Sequence, residues 1–383
     1  MIEIKLDKNC CGCEACVNIC PKQCIEMQAK SDGFLYPIVD KEKCINCHLC
    51  ELVCPELKRH KAKHPIKCYA ARSNSKNILS KSSSGGIFSE LALSIINSGG
   101  VVFGARFNSE WELIHDYTDR TDNLDQFRGS KYVQSRINHS YKEVKNFLIN
   151  NRKVLFCGTP CQIAGLKNYL RKEYDNLILV DLICHGVPSP LIFRNYLDEI
   201  INENDCSIKN ILFRDKHYGW KNFSFTIESK SNSSHNDIIM RHPIMTDSDI
   251  FMKLFLNNYI LRPSCYTCKF KQNKSGADIS LGDLWGVSKF NIMDDDLGIS
   301  LILLQTNKGI SEFSKLNIFS KELRYNDILG SNPAIIIPSR KQNYKVTIGN
   351  YHNVDFSKNS TANKYVYLFE YLIKKYIHLL FTK

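Results

Sequence analysis

Eight cysteines near the start of the chain fall into two runs of identical spacing. The first is Cys10, Cys13, Cys16, Cys20 and Pro21; the second is Cys44, Cys47, Cys50, Cys54 and Pro55. Both read C-x2-C-x2-C-x3-C-P, a spacing that holds 4Fe–4S cubes. Three closely spaced thiolates wrap one face of a cube, and the fourth, just before proline, reaches across to the other cube. Cys10, Cys13, Cys16 and Cys54 are therefore expected on one cluster, and Cys44, Cys47, Cys50 and Cys20 on the other. A disulfide framework would need an oxidising compartment, and structural zinc prefers paired C-x2–4-C knuckles. The chemistry these residues suit is the passage of single electrons.

The chain has 17 cysteines, so nine remain: Cys11, Cys24, Cys68, Cys157, Cys161, Cys184, Cys206, Cys265 and Cys268. Cys265 and Cys268 form a C-x2-C knuckle, which suits a metal or a redox pair. Cys161 and Cys184 each sit just past an apolar run. Four thiolates from these three loops can hold a third 4Fe–4S cluster. Three other chemistries fit the same residues. Cys184 with His185 could act as nucleophile and base, although neighbours on a strand face opposite ways. Cys157 and Cys161 could form a redox disulfide, and Cys265 with Cys268 could bind zinc.

The elements that must position these residues are legible as apolar runs. In residues 1–60, Asp32-Gly33 between short apolar stretches reads as a hairpin turn. This small domain has little core of its own, so its clusters would hold it together. The stretch 57–67 is basic and ends near Pro65, with 61–67 as the linker proper. A strand follows around 68–71. Ser82-Ser83-Ser84-Gly85-Gly86 then opens a helix over 87–96, with a buried strand at 101–105. A serine- and glycine-rich loop at a helix start is a ready anion site, or simply a cap. After Gly129-Ser130-Lys131-Tyr132-Val133-Gln134-Ser135 come a helix at 141–148, a buried strand at 154–157 and the loop Gly158-Thr159-Pro160-Cys161. A helix at 162–170, a strand at 177–184 and a helix from Leu191 complete a β-α-β unit, whose strands are expected to be parallel. If those strands are neighbours, their carboxyl ends lie about 5 Å apart, at the edge where open α/β sheets collect ligands. Residues 208–245 read as a β-rich insertion with polar points at Phe213-Arg214-Asp215-Lys216 and Gly219-Trp220-Lys221. Residues 250–261 read as a helix and 298–306 as a buried strand. The fold class is thus a small two-cluster α+β domain followed by a mixed α/β domain, 68–340 (parts 68–150 and 151–340), with a partly parallel sheet. A tail, 341–383, carries an amphipathic stretch at 364–381, read as a docked helix or an interfacial membrane helix.

Composition sets the remaining bounds. The 383 residues are 43% hydrophobic and 23% charged, which suits globular domains. No secretory signal and no run of about 18 apolar residues stands out, so a reducing, cytoplasmic setting without a spanning helix is expected. The net charge of +12 is scattered, with no basic block or nucleic-acid motif. It reads as a solvated surface, or as a basic rim for an acidic electron donor or anionic cofactor.

The ordered set SSSGG (82–86), GSKYVQS (129–135), GTPCQ (158–162), ICHG (183–186), CYTC (265–268) and ADISLGDLWG (277–286) resembles the coenzyme F-420 hydrogenase/dehydrogenase beta-subunit family over roughly residues 67–340. The N-terminal segment is similar to the two-cluster bacterial-type ferredoxin domains fused to some members. The resemblance implies a flavin-dependent iron–sulfur oxidoreductase with FAD beside a third 4Fe–4S cluster at Cys161, Cys184, Cys265 and Cys268. It also implies that Ser84, Gly85, Gly86, Lys131, Thr159, Gly282 and Asp283 lie near the flavin. No G-x-G-x-x-G turn is present, so a Rossmann site is not implied. The expected reaction takes single electrons from a ferredoxin-like protein donor through the clusters to FAD. They then pass as hydride equivalents to or from a small acceptor, F-420-like or of another kind, with His185 as candidate proton donor. The other reading is an electron-relay subunit that docks a separate catalytic protein and has no substrate of its own.

Overall fold

The computed structural model describes residues 1–232, 240–343, 346 and 351–353. The amphipathic stretch 364–381 lies outside the described residues.

The N-terminal unit is built on a repeat that extends to the backbone. Helix α1 (Ala15–Ile19) lies within the first cysteine run, and the hairpin β1 (Ile25–Ala29) and β2 (Leu35–Val39) follows it. Helix α2 (Leu49–Leu52) lies within the second run. Gly12 and Glu14 before α1 have left-handed φ of 69° and 55°, and Asn46 and His48 before α2 repeat this at 51° and 58°. The hairpin turns at Asp32-Gly33 as expected, with Gly33 at φ 76°. The unit's own core is small, with Ile2, Cys24, Ile25 and Cys50 in one cluster and Cys10, Phe34 and Tyr36 in another. Cys11, Cys13, Ala15 and Val53 are buried instead in the core of the larger domain.

That larger domain begins with β3 (Lys67–Ser73), then α3 (Lys76–Ser80), α4 (Ile87–Asn97), β4 (Val101–Phe107), β5 (Leu113–Thr118) and α5 (Ser140–Ile149). The expected β-α-β unit is β6 (Val154–Gly158), α6 (Pro160–Leu170) and β7 (Leu177–Leu182), and its two strands are parallel neighbours. Helix α7 (Pro190–Asn204) leads into a separate antiparallel sheet of β8 (Cys206–Asp215), β9 (Ser224–Ser231) and β10 (Met240–Met245), matching the β-rich insertion. Helix α8 (Ile250–Leu256), β11 (Ile279–Asp283), β12 (Ser300–Leu304), α9 (Asn307–Ser314), β13 (Ile318–Leu323) and α10 (Tyr325–Ile328) complete the chain order. The helix expected over 250–261 stops at Leu256, because Asn258 takes a left-handed φ of 65° and turns the chain away.

The main sheet has eight strands in the order β13-β3-β12-β11-β7-β6-β4-β5. Strands β4, β6, β7 and β11 run parallel at its centre, while β5, β12 and β13 pair antiparallel with their neighbours. Every residue of β6 and β12 is buried, which is why these strands read as unbroken apolar runs. Side chains alternate between two cores. Phe103, Phe156 and Leu179 face α5 and α6, whereas Val102, Leu155 and Ile178 face α4. The registers bring the carboxyl ends of β3, β6, β7 and β11 and the start of β12 to one edge. Loop 82–86, Thr159, Cys161, Cys184 and Asp283 all follow from that edge. Among the described residues, no helix is long and apolar enough to cross a membrane.

Candidate functional site

The two cysteine runs fold around separate cavities. One is lined by Cys10, Cys13, Cys16 and Cys54, the other by Cys20, Cys44, Cys47 and Cys50. Both cavities open to solvent. The cysteine before each proline lines the cavity of the other run. Cys11 borders the first cavity and Cys24 the second, where its Sγ is 3.5 Å from that of Cys20. Burial, then the neighbouring Cys10 and Cys54, push the Cys16 thiol well above its ordinary range. A hydrogen bond with Cys11 draws Cys13 down, but burial and Cys54 carry it up to about 11. Thiols in this state do not ionise unaided, and a polycation such as an iron–sulfur cube is what draws off their protons. The donor chemistry fits two cubes. The first set is largely buried, whereas Cys47 of the second is exposed. We refer to them as the inner and outer sets.

A third group of thiols forms at the carboxyl edge of the main sheet. Cys161 lies in the first turn of α6, whose start is fixed by a capping box between Thr159 and Gln162. The Thr159 hydroxyl is 3.2 Å from Cys161 Sγ. Cys184 follows β7, and Cys265 and Cys268 bracket a tight turn after Arg262. Burial raises Cys184 to about 12 against the pull of nearby Lys271, with Cys161 and Cys268 adding to the rise. Burial raises Cys265 too, with Cys184, Cys161 and Cys268 as charged neighbours. Lys271 donates to the carbonyls of Cys184 (2.5 Å) and Ala334 (2.7 Å), fixing the loop. Among the described residues, no three His, Cys, Asp or Glu side chains converge on a point that suits a single metal ion. Thiolates around a cube stand further apart than that. Cys157 lies elsewhere, beside Asp181 and Lys131. The His185 ring packs edge-on against Phe255 with centroids 5.2 Å apart.

The inner set and the third group face each other across the seam between the two domains. The Cys11 thiol lies beside those of Cys13 and Cys161, and each acts on its ionisation. Helix α6 passes close enough that a Cβ on Gly165 would stand 3.0 Å from Cys13 Sγ, so a larger residue would crowd the inner set. Buried Glu14 accepts from Arg136 Nε (3.1 Å) and from the backbone N–H of Ile137 (3.2 Å) and Asn138 (3.1 Å). Lys269 pairs with buried Glu56 at 2.8 Å. The guanidinium of Arg262, three residues before Cys265, reaches into the Cys10–Gly12 loop.

The residues expected near a flavin line the same edge, though not all for the same reason. Ser84 Oγ donates to the Ile299 carbonyl at 3.1 Å, and a Cβ on Gly85 would meet the Ala71 carbonyl at 2.4 Å. Gly86 starts α4, and Gly282 packs on Ile183. These glycines are required by packing as well as by any ligand. Partly buried Lys131 donates to the carbonyls of Arg128 (2.8 Å) and Gly129 (3.4 Å), and desolvation lowers it to about 7. Asp283 accepts from Arg214 Nη1. Arg214 was legible in the sequence only as a polar point of the insertion. Its Nε and Nη2 lack a well-formed hydrogen bond among the described residues, with Tyr132 as a polar neighbour. Its guanidinium lies over Phe223 and Trp285, and Trp285 stacks on Trp220 at 4.8 Å. Lys216, two residues on, donates to the carbonyls of Leu79, Ser84 and Leu297. Arg214, Lys216 and Lys131 thus border the 82–86 loop and its neighbours, with Asp283 on Arg214 and Asp295 and Asp296 near Lys216. Their cations beside the flat Trp285 ring can meet an anion that carries a planar ring.

Comparison with curated proteins gives no match. A chain of the xenon-derivatised F420-reducing nickel–iron hydrogenase complex from Methanosarcina barkeri aligns at 18% identity, covering 70% of this chain and 84% of that one, with a TM-score of 0.43. Residues 9–57 match the model of the 4Fe-4S dicluster domain, and residues 151–320 match that of the C terminus of the coenzyme F420 hydrogenase/dehydrogenase beta subunit. The chain thus joins an electron-transferring 4Fe–4S dicluster domain to a domain of that oxidoreductase family.

Proposed function

We propose that the protein is an iron–sulfur flavoprotein oxidoreductase, in which Cys10, Cys13, Cys16 and Cys54 hold an inner 4Fe–4S cluster. Cys20, Cys44, Cys47 and Cys50 hold an outer one, and Cys161, Cys184, Cys265 and Cys268 hold a third. The observation that carries this reading is the continuous order of the thiols, from exposed Cys47 through the inner set and Cys11 to Cys161 at the sheet edge. Bound clusters supply one-electron transfer, and bound FAD supplies the change to two-electron chemistry with a small acceptor. The chain's own residues do the rest. Exposed Ile45 and Leu52 and the nearby Lys22 offer an apolar, basic landing for an acidic ferredoxin-like donor. The seam residues exclude water between the inner set and the third group. Arg214, Lys216 and Lys131 offer the charge that the cofactor's phosphates need, and Trp285 a flat apolar wall.

The test is anaerobic purification with iron, sulfide and flavin counted per chain. About twelve irons and one FAD are expected, four irons for each cube. About eight irons and no flavin would remove both the third cluster and the two-electron chemistry. Reduction of the flavin by a small substrate, without a partner protein, separates an enzyme from an electron relay.

Lys131 gives this reading a pH signature. A lysine lowered to about 7 by desolvation is half neutral at neutral pH, and a bound anion favours its charged form. FAD binding should therefore take up a proton above pH 7 and weaken as pH rises to about 9. Calorimetric titration of flavin-depleted protein across this range checks it, and Lys131→Met should flatten the dependence.

A further inference from the structure

We infer that Arg262 is the counter-charge of the inner cluster and raises that cluster's reduction potential above the value it would have without the guanidinium. This rests on the proposed cluster assignment. Arg262 is 1% exposed, and burying a cation so deeply is costly unless something offsets its charge. Among the described residues no carboxylate pairs with it, and the groups whose charge acts on it are Cys10, Tyr36, Cys11 and Cys265. Both buried carboxylates of the seam are already matched, Glu14 by Arg136 and Glu56 by Lys269.

The geometry shows where the offset lies. Nε donates to the Cys10 carbonyl at 2.8 Å, and Nη2 is 3.5 Å from Cys10 Sγ. Nη1 donates to Gln134 Oε1 at 2.8 Å, and Nη2 also donates to the Leu35 carbonyl at 2.9 Å. The face of the guanidinium lies 4.5 Å from the Tyr36 ring centre and 5.2 Å from that of Phe34. The fork is therefore locked on three sides with its charge against a cluster sulfur. A cube ligated by four thiolates carries net negative charge, which grows by one when it accepts an electron. A fixed cation that never deprotonates favours the reduced form, and no proton need accompany the electron. Hydrogen bonds to sulfur and net local charge are the levers that set such potentials. The outer set, with exposed Cys47, has water to screen it instead. The guanidinium thereby eases electron entry into the inner cluster, the one beside Cys161.

The experiment uses the full chain, purified anaerobically, with midpoints followed by paramagnetic resonance and the inner signal assigned by its loss in Cys13→Ser. In Arg262→Gln the inner midpoint should fall by at least tenfold in the reduction equilibrium, about 59 mV for one electron. The other midpoints and the iron count should stay unchanged. Arg262→Lys should recover most of the shift. Gln134→Glu leaves Arg262 in place but sets a carboxylate against it, and should lower the same midpoint. This variant decides the matter if Arg262→Gln fails to retain the cluster. An unmoved inner midpoint with iron retained in Gln134→Glu, or an equal fall at all clusters, would overturn the proposal. A merely structural role for Arg262 would cost iron or stability without moving one potential selectively. If Cys13→Ser loses no iron, the cluster assignment itself fails, and the role of Arg262 fails with it.

Discussion

Cys161→Ser should lose the iron of one cube, about four atoms, and leave the two ferredoxin-type signals in place. The flavin should remain bound, because the cradle of Arg214, Lys216 and Lys131 is untouched. Its reduction by an external one-electron donor should be abolished. The reason is positional. Cys161 opens α6, its thiol neighbours Cys11, and among the four proposed ligands it stands beside the inner side of the seam. Iron analysis with rapid-mixing absorbance checks both halves. Loss of the ferredoxin-type signals, or unimpaired flavin reduction, contradicts the assignment.

Glu14→Ala should loosen the dicluster domain from its seat. It leaves the N–H groups of Ile137 and Asn138 without their acceptor and strands Arg136. Unsatisfied buried donors cost about 1–3 kcal/mol each, so a destabilisation of about 2–5 kcal/mol is expected. The stretch 57–67 should become cleavable by protease, and electron passage from the inner set to Cys161 should slow sharply while the outer cluster still reduces normally. Glu14→Gln keeps an acceptor oxygen and should fall between. Limited proteolysis and hydrogen exchange of the 57–67 backbone read the change directly.

Much of the frame was legible because it is local. Unbroken apolar runs at 154–157 and 177–182 could only be buried strands, and the loop-helix-loop between them forced a parallel pair. The two cysteine runs were legible as a repeat, and the backbone repeats with them at Gly12 and Glu14 and at Asn46 and His48. The seam was not legible, since it depends on pairs far apart in the chain: Arg136 is 122 residues from Glu14, and Arg262 is 252 residues from Cys10. Nor did composition mark Arg214 and Lys216, whose importance arises only when β8 is laid beside Asp283. The helix expected over 250–261 is shorter for a related reason. Its apolar pattern continues through Tyr259 and Ile260, but those residues serve another turn, the one that delivers Arg262 and the cysteine knuckle.

The seat of the dicluster domain also decides how electron flow responds to conditions. A domain swinging on a tether would meet its acceptor at an effective concentration fixed by tether length and stiffness. Glu14, Lys269 and Arg262 instead tie the inner set to the domain that carries Cys161. On the proposed route, transfer across the seam is first order, indifferent to dilution, to viscosity and to the sequence of the connecting stretch. The encounter of a donor at exposed Cys47 would be the second-order step, the one that salt and donor concentration govern.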